Sequence, residues 1–220
     1  MTERLEKIYS LIPDGKGVID VGTDHGYIPV QLASNGYRGR IIASDVNPAP
    51  LMSARQHAEE KNVTEKIEFT LCDGLDGCPQ HDIDTIIIAG MGGDTICAIL
   101  DRAEWCMDAG YTLILQPMTK AEILRFWLVN NGFEITGEYR AEDAGRIFQI
   151  IRSRYIGLNS RYTDAQLYIG KSLPHSEMAM QKRFVRHEAE RLNKKLRGLQ
   201  VNCSTECSFY ETIVCELERE

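Results

Sequence analysis

Val18-Ile19-Asp20-Val21-Gly22-Thr23-Asp24-His25-Gly26-Tyr27 is an apolar run that ends in an acid, turns through small residues and enters a helix bearing Tyr27, Ile28, Val30 and Leu32. The first strand of an open α/β sheet hands over to its first helix in this way. The turn sets bare backbone N–H groups and a helix N-terminus against a ligand. About twenty residues further on, a second apolar run, Ile41-Ile42-Ala43-Ser44, also ends in an acid, Asp45. An acid at that spacing can accept hydrogen bonds from the two hydroxyls of a ribose. The chain therefore opens with a cradle for a nucleoside-containing ligand.

Outward from this stretch, strands and helices alternate. Thr2 is placed to cap a first helix carrying Leu5, Ile8 and Leu11/Ile12, stopped by Pro13-Asp14-Gly15. Strand 17–21 leads to helix 26–34, and strand 40–44 to helix 48–61. Strand 66–71 ends at Cys72-Asp73-Gly74. Strand 84–89 ends at Gly90-Met91-Gly92-Gly93, with a helix expected from about 94. Strand 111–115 ends at Gln116-Pro117, and helix 119–130 stops at Asn131-Gly132. The runs Ile86-Ile87-Ile88 and Leu113-Ile114-Leu115 are apolar on both faces, the mark of central parallel strands buried under helices. Two longer strands, 133–141 and 146–155, meet at the turn Asp143-Ala144-Gly145-Arg146. The expected fold is α/β: a Rossmann-like, mostly parallel sheet that closes in an antiparallel hairpin. By analogy of fold, S-adenosylmethionine-dependent methyltransferases of class I finish so, and nicotinamide-binding Rossmann domains do not.

The pattern changes after Ile156. Val185, Ala189, Leu192, Leu196 and Leu199 recur at coiled-coil spacing over 176–199, a seam for a partner helix. Gly198 and Asn202-Cys203 are expected to break it. Ser204 can then cap a second helix with Tyr210, Ile213 and Leu217 on one side. The division expected is a ligand-binding domain over 1–156 and a helical, coiled-coil hairpin over 157–220. The net charge of −7 hides an asymmetry, because residues 1–150 are acidic and residues 152–197 basic. A basic segment on an acidic body invites an anionic partner, although a solvated helix face would read the same way.

With 43% hydrophobic and 26% charged residues in a chain of 220, a substantial core is available. No apolar run approaches the ~18 residues of a membrane span. The charged start, Met1-Thr2-Glu3-Arg4-Leu5-Glu6-Lys7, does not resemble a secretion signal, so the cytoplasm is the expected compartment. The seven cysteines form no C-x-x-C pair. They read as free thiols, and no metal is expected.

Asp24 decides between ligands. A dinucleotide fingerprint needs glycine at that position so that a pyrophosphate can approach. A carboxylate there repels two phosphates and tolerates a sulfonium and an ammonium. S-adenosylmethionine is thus the expected cofactor. Gly22 to Gly26 would admit its methionine part, Asp45 its ribose and Asp73 with Gly74 its adenine, while Gly90-Met91 would line the reaction centre. No Asn or Asp follows the fourth strand to orient an exocyclic amine. A ring nitrogen with its own lone pair needs only alignment, a dry pocket and tolerance of the product's positive charge, which Asp24 could supply. His25 reads either as part of the site or as bonded to its own loop. Tyr27 reads as core or as a stacking platform, and Met91 as packing or as substrate contact.

Laid out together, Asp20-Val21-Gly22-Thr23-Asp24-His25-Gly26-Tyr27-Ile28-Pro29, Cys72-Asp73-Gly74-Leu75, Ile88-Ala89-Gly90-Met91-Gly92-Gly93 and Leu113-Ile114-Leu115-Gln116-Pro117 resemble the bacterial tRNA adenine-22 N1-methyltransferase family, TrmK. The resemblance runs almost the whole length. It implies a class I methyltransferase with a coiled-coil extension that methylates N1 of adenosine 22 in the tRNA D-arm. It implies Asp20, Gly22, Asp24, His25, Gly26 and Asp45 around the cofactor, with Val46, Asn47, Asp73, Gly74, Gly90 and Met91. Asp24, His25 and Tyr27 are the expected chemical residues. Gly92, Gly93, Gln116 and Pro117 are expected near the incoming RNA, and Lys182, Arg183, Arg186, Lys194 and Lys195 on its phosphates. One departure stands out: the family's Gln-Pro is usually followed by Asn, and here Met118 follows. The expected partner is tRNA, bound by a monomer or weak homodimer, with no membrane. The rival readings are a methyltransferase of another nucleic acid or a small molecule, a non-catalytic RNA-binding protein and a nicotinamide-dependent oxidoreductase.

Overall fold

The apolar run ending at Val21 becomes β1 (Gly17–Val21), every residue of it buried. In the computed structural model, which describes residues 1–171 and 178–201 together with Glu211 and Ile213, β1 stands near the middle of a seven-stranded sheet. The other strands are β2 (Arg40–Asp45), β3 (Glu68–Leu71), β4 (Thr85–Gly92), β5 (Thr112–Thr119), β6 (Phe133–Asp143) and β7 (Arg146–Tyr155). Their order is β3-β2-β1-β4-β5-β7-β6. The first five are parallel, and β7 lies antiparallel between β5 and β6. The antiparallel hairpin expected over 133–155 is present, and it inserts its second strand into the sheet.

Helices cover both faces. α1 (Glu3–Ser10), α2 (Tyr27–Ser34) and α3 (Pro48–Glu60) pack one side, where Ile8, Ile28, Val30 and Leu32 meet Val18, Ile41, Ile87 and Ile114. α4 (Gly93–Arg102) and α5 (Ala121–Asn130) pack the other, where Ile96, Leu100, Leu124 and Leu128 meet Ile19, Ile86, Ile88 and Leu113. Alternate residues of the Ile86-Ile87-Ile88 run therefore feed two cores, as a strand's two-residue period requires.

Four expectations need correction. β4 does not stop at Ala89, nor β5 at Leu115. The pairing continues through Met91 to Pro117 and Gly92 to Thr119, with register shifts on either side of Met91. Gly and Pro read locally as strand breakers, but bulges let the neighbouring strand keep them in the ladder. A short helix, α6 (Asp164–Ile169), was not anticipated, although Thr163 and Gln166 form a capping box legible as T-x-x-Q. Finally, α7 (Met178–Val201) passes through Gly198 without ending. One glycine costs a helix only about 1 kcal/mol, less than the packing of its apolar stripe supplies.

That stripe, Phe184, Ala189, Leu192 and Leu196, packs on Ala165, Tyr168 and Ile169 of α6 and on Ile213. Of the coiled-coil partner expected from Ser204 onward, Ile213 is buried in this cluster, and Ser204, Tyr210 and Leu217 lie outside the described residues. Segment 157–171 is stitched to the sheet by buried charge. Arg125 donates to Glu138 (2.6 Å), Gln149 (2.6 Å) and the Leu167 carbonyl (2.7 Å), and Glu138 accepts from the Lys171 N–H (2.5 Å). Arg140 donates to the Ile169 carbonyl.

Candidate active site

The site is assembled along the carboxyl ends of β1, β2, β3, β4 and β5. After β1 the chain turns at Gly22 (φ 73°), and the N–H groups of Gly22 and Thr23 donate to the Ser44 carbonyl (2.8 and 2.9 Å). A side chain at 22 would drive its Cβ to 2.2 Å from Met91 Cε. Asp20 lies beneath this turn and accepts from Thr23 Oγ1 at 2.7 Å. Burial pushes its carboxyl up to about 6, against the Thr23 hydrogen bond, with the Asp45 charge adding to the rise. Asp20 thus braces the cradle from below.

Asp24 and His25 stand at the mouth, His25 Nε2 lying 3.5 Å from Asp24 Oδ2 with both side chains exposed. Tyr27 opens α2. Its ring lies 5.6 Å from that of His25 and edge-on to that of His57 at 5.4 Å. His57 Nδ1 donates to the His25 carbonyl (2.9 Å), fixing the loop to α3. Tyr27 is 44% exposed, so it is a surface platform rather than core. His57 was missed by the sequence reading because no motif marks it.

At the end of β2, Asp45 Oδ1 accepts from the Asn47 N–H (2.8 Å), and no described residue donates to Oδ2. Exposed Val46 flanks it, as does exposed Leu71, its neighbour on β3. Asp73 pairs with Arg102 (3.1 Å), which also holds Asp76 (2.8 Å). The sequence reading did not find Arg102, which lies a helix away on α4. Gly74 turns at φ 63° against Ile99. Cys72 and Cys78 share a hydrogen bond across this turn, which draws the Cys72 thiol down to about 7 and pushes Cys78 up.

The β4–β5 rim differs from expectation. Gln116, assigned to RNA contact, is fully buried. Its amide is bonded on both sides within the protein: Oε1 accepts from Arg4 and the Gly90 N–H, and Nε2 donates to the Pro117 carbonyl. Gly93 is buried too, and a Cβ there would lie 2.2 Å from the Lys120 carbonyl. It is a packing residue where α4 leaves the rim. Gly92 is half-buried, within reach of the rim surface.

Beside this rim, α7, the end of β5 and the β6–β7 turn enclose a cleft of about 890 Å³. Pro117, Arg183 and Arg186 line it, together with Arg191 and with Lys120, Arg146 and Phe148, to which the sequence reading gave no role. Lys182, Lys194 and Lys195 are exposed but do not line it. Arg183 is bound through both nitrogens to Glu142 (2.8 Å each), and Arg191 to Glu188.

A family model described as a methyltransferase domain matches residues 1–151. A Streptococcus pneumoniae protein assigned as a tRNA (m1A22) methyltransferase, solved in complex with S-adenosyl-L-methionine, superposes with a TM-score of 0.83 at 30% identity, over 99% of each chain. The chain is a methyltransferase of the TrmK family. The tRNA (adenine(22)-N(1))-methyltransferase of Bacillus subtilis is 28% identical over 170 residues, 77% of this chain and 71% of its own. Among TrmK structures, that of M. capricolum bound to S-adenosyl-homocysteine shares the fold over 100% of this chain and 96% of its own (TM-score 0.81, 22% identity). The cradle of this TrmK chain lies where its strand order reverses between β1 and β4.

Proposed function

We propose that this chain transfers a methyl group from S-adenosyl-L-methionine to N1 of adenosine 22 in the D-arm of tRNA, in the cytoplasm, as a monomer or weak homodimer. The observation that carries the reading is Asp24: an exposed carboxylate paired with His25 at the mouth of a glycine cradle. It suits a cationic donor and repels a pyrophosphate. The cradle fits such a donor: Gly22, at φ 73°, keeps a bare backbone at the turn, where any Cβ would collide with Met91 Cε. The cofactor supplies an electrophilic methyl group on a sulfonium.

The chain's own groups do the rest. Asp45 Oδ2 accepts from ribose hydroxyls, with Val46 and Leu71 as apolar walls for a base. Asp73 and the Gly74 N–H read the adenine edge. N1 of adenosine carries a lone pair and no proton, so no general base is required. The enzyme aligns that lone pair with the methyl carbon, and alignment supplies most of the rate. Asp24 stabilises the positive charge that arrives on the base, and His25 holds Asp24 in place. Tyr27 offers a stacking face for a base rotated out of the D-arm, a rotation that costs a few kcal/mol. Cations lining the cleft by α7 contact the RNA backbone and hold its register.

The test is incubation with bulk tRNA and methyl-labelled cofactor, followed by digestion to nucleosides. Label is expected in N1-methyladenosine and is lost from a transcript with guanosine at 22. Label in another nucleoside, or none, overturns the reading. Asp24→Ala is expected to lower turnover far more than tRNA affinity, and equal losses would remove Asp24 from the chemistry.

A further inference from the structure

The β4–β5 rim is the reaction side of the cradle, and Gln116, buried beneath it, presents no polar group to a base. Its polar machinery is turned inward. Gln116 Oε1 accepts from Arg4 Nη1 at 2.6 Å and from the Gly90 N–H at 3.2 Å. Gln116 Nε2 donates to the Pro117 carbonyl at 3.0 Å and meets Met118 Sδ at 3.6 Å. A primary amide offers two acceptor sites and two N–H donors. All four are engaged here, so Gln116 has none left for a substrate.

Gly90 explains what this engagement is for. The β4–β5 ladder steps from the Ala89–Gln116 pair to the Met91–Pro117 pair, leaving Gly90 out of register at φ 81°. In a bulge the extra residue loses its strand partner. The Gln116 side chain supplies the partner instead. An amide can be flipped, and only the flip with oxygen toward Gly90 makes this bond. The Pro117 carbonyl, which only accepts, and Arg4, which only donates, both select that flip, and Arg4 adds the charged, shortest bond. Arg4 reaches in from α1, half-buried, with its guanidinium 5.6 Å from the Phe148 ring centroid.

We propose that Arg4 is a positioning residue for methyl transfer, acting through Gln116 to fix the Gly90 bulge and, with it, the rim along which methyl donor and acceptor nitrogen are aligned. The proposal rests on the methyltransferase reading above. If Arg4 served only to dock α1, its loss would lower stability and leave the chemistry of each folded molecule unchanged.

The experiment uses full-length protein and the variants Arg4→Met, Arg4→Lys, Gln116→Leu and the Arg4→Met/Gln116→Leu double. Three quantities are measured: single-turnover methyl transfer at saturating tRNA and S-adenosylmethionine, calorimetric affinity for that cofactor, and hydrogen exchange at the Gly90 amide. Arg4→Met is expected to slow transfer about 10- to 100-fold, the scale of a misplacement near 1 Å. Cofactor affinity should stay within about threefold of wild type, since an interaction felt only in the transition state leaves binding alone. Arg4→Lys keeps the charge without the planar fork and should recover part of the rate. The double variant should be no slower than the slower single, as expected for residues acting as one unit. Gly90 exchange should quicken in every variant.

A wild-type transfer rate in Arg4→Met, a rate loss matched by lost affinity, or multiplied losses in the double would each overturn the proposal. Should Arg4→Met fail to fold, Arg4→Lys carries the same three readouts. Gly90 exchange needs no substrate. Unchanged exchange therefore defeats the clamp, whereas inactive wild-type protein with a clamp-dependent Gly90 amide defeats the methyltransferase reading alone.

Discussion

The two halves of the sheet use their polar residues in opposite ways. In the β3-β2-β1 half, the acids that follow the strands face outward. Asp24 and Asp73 are largely exposed, and Asp45 is half-buried with one oxygen unclaimed by a described donor. In the β4-β5-β7-β6 half, Gln116, Arg125, Glu138 and Arg140 are buried and bonded to one another's elements or to α6. One half keeps its hydrogen-bonding capacity for a ligand. The other has spent it on geometry: the reach of α6, the seat of α7 and the bulge at Gly90. The function and the clamp proposed above thus make a motif residue at a strand end a binding residue in the first half and a positioning residue in the second.

The largest expected effect strikes the second half. Arg125→Met leaves Glu138 buried without its 2.6 Å partner and should cost about 3–5 kcal/mol, measured by denaturant unfolding. A loss below about 1 kcal/mol would mean that the buried network is not holding that side together. Burial alone would raise the Glu138 carboxyl, but Arg125 and Arg140 more than offset it and hold it below the ordinary value of 4.5. Its stabilising share is thus present above about pH 4.5 and is lost as acid drives the pH down through its lowered folded value.

Asp20 shows the opposite sign. Its folded value near 6 exceeds the ordinary 3.8, so its carboxyl opposes folding progressively as pH rises between those values. Asp20→Asn should be more stable than wild type by about 3 kcal/mol at pH 8, with the gain vanishing near pH 4. Parallel stability–pH curves for the two proteins would show that Asp20 is not the buried brace described. Smaller still, Gly93→Ala forces a methyl group against the Lys120 carbonyl, 2.2 Å away. A loss of about 1–3 kcal/mol is expected, with a matching fall in Tm. An unchanged Tm would place slack where the rim is described as closed.

The mildest test probes the open half. Cys72, drawn down to about 7 mainly by its hydrogen bond with Cys78, should be alkylated at pH 8 before Cys97 and Cys106, whose thiols burial pushes up to about 12 and 11. S-adenosylmethionine should slow this labelling, read by mass spectrometry, because Cys72 borders the Asp73-Gly74 turn. Labelling indifferent to the cofactor would detach that turn from the site.

The same contrast explains what could be read in the chain. The turns at the strand ends were legible because each follows one apolar run and its geometry is local: Gly22 for a turn at φ 73°, Asp45 at the close of β2. The buried parallel strands at 86–88 and 113–115 and the antiparallel closing hairpin were legible too, whereas the order of the strands was not. Residues whose function depends on a distant partner were read wrongly or missed. Gln116 looked like a substrate contact because Arg4, 112 residues away in the chain, carries no mark of its own. Gly93 looked like a ligand loop because the Lys120 carbonyl that excludes a side chain is supplied by tertiary packing. Arg102 and His57 join the site from helices whose periodicity gives no hint of it. Lys182, Arg183, Arg186, Lys194 and Lys195 were all chosen by charge, and of the five Arg183 and Arg186 line the cleft.

The central claim, that ligand binding belongs to one half of the rim and alignment to the other, meets its most direct test in a calorimetric titration of S-adenosylmethionine into wild type, Asp45→Ala and Gln116→Leu. Loss of a hydrogen bond to a charged acceptor is worth about 1.5–3 kcal/mol, so Asp45→Ala should bind at least tenfold more weakly. Gln116→Leu should bind within about threefold of wild type. Equal losses, or a greater loss in Gln116→Leu, would contradict the division.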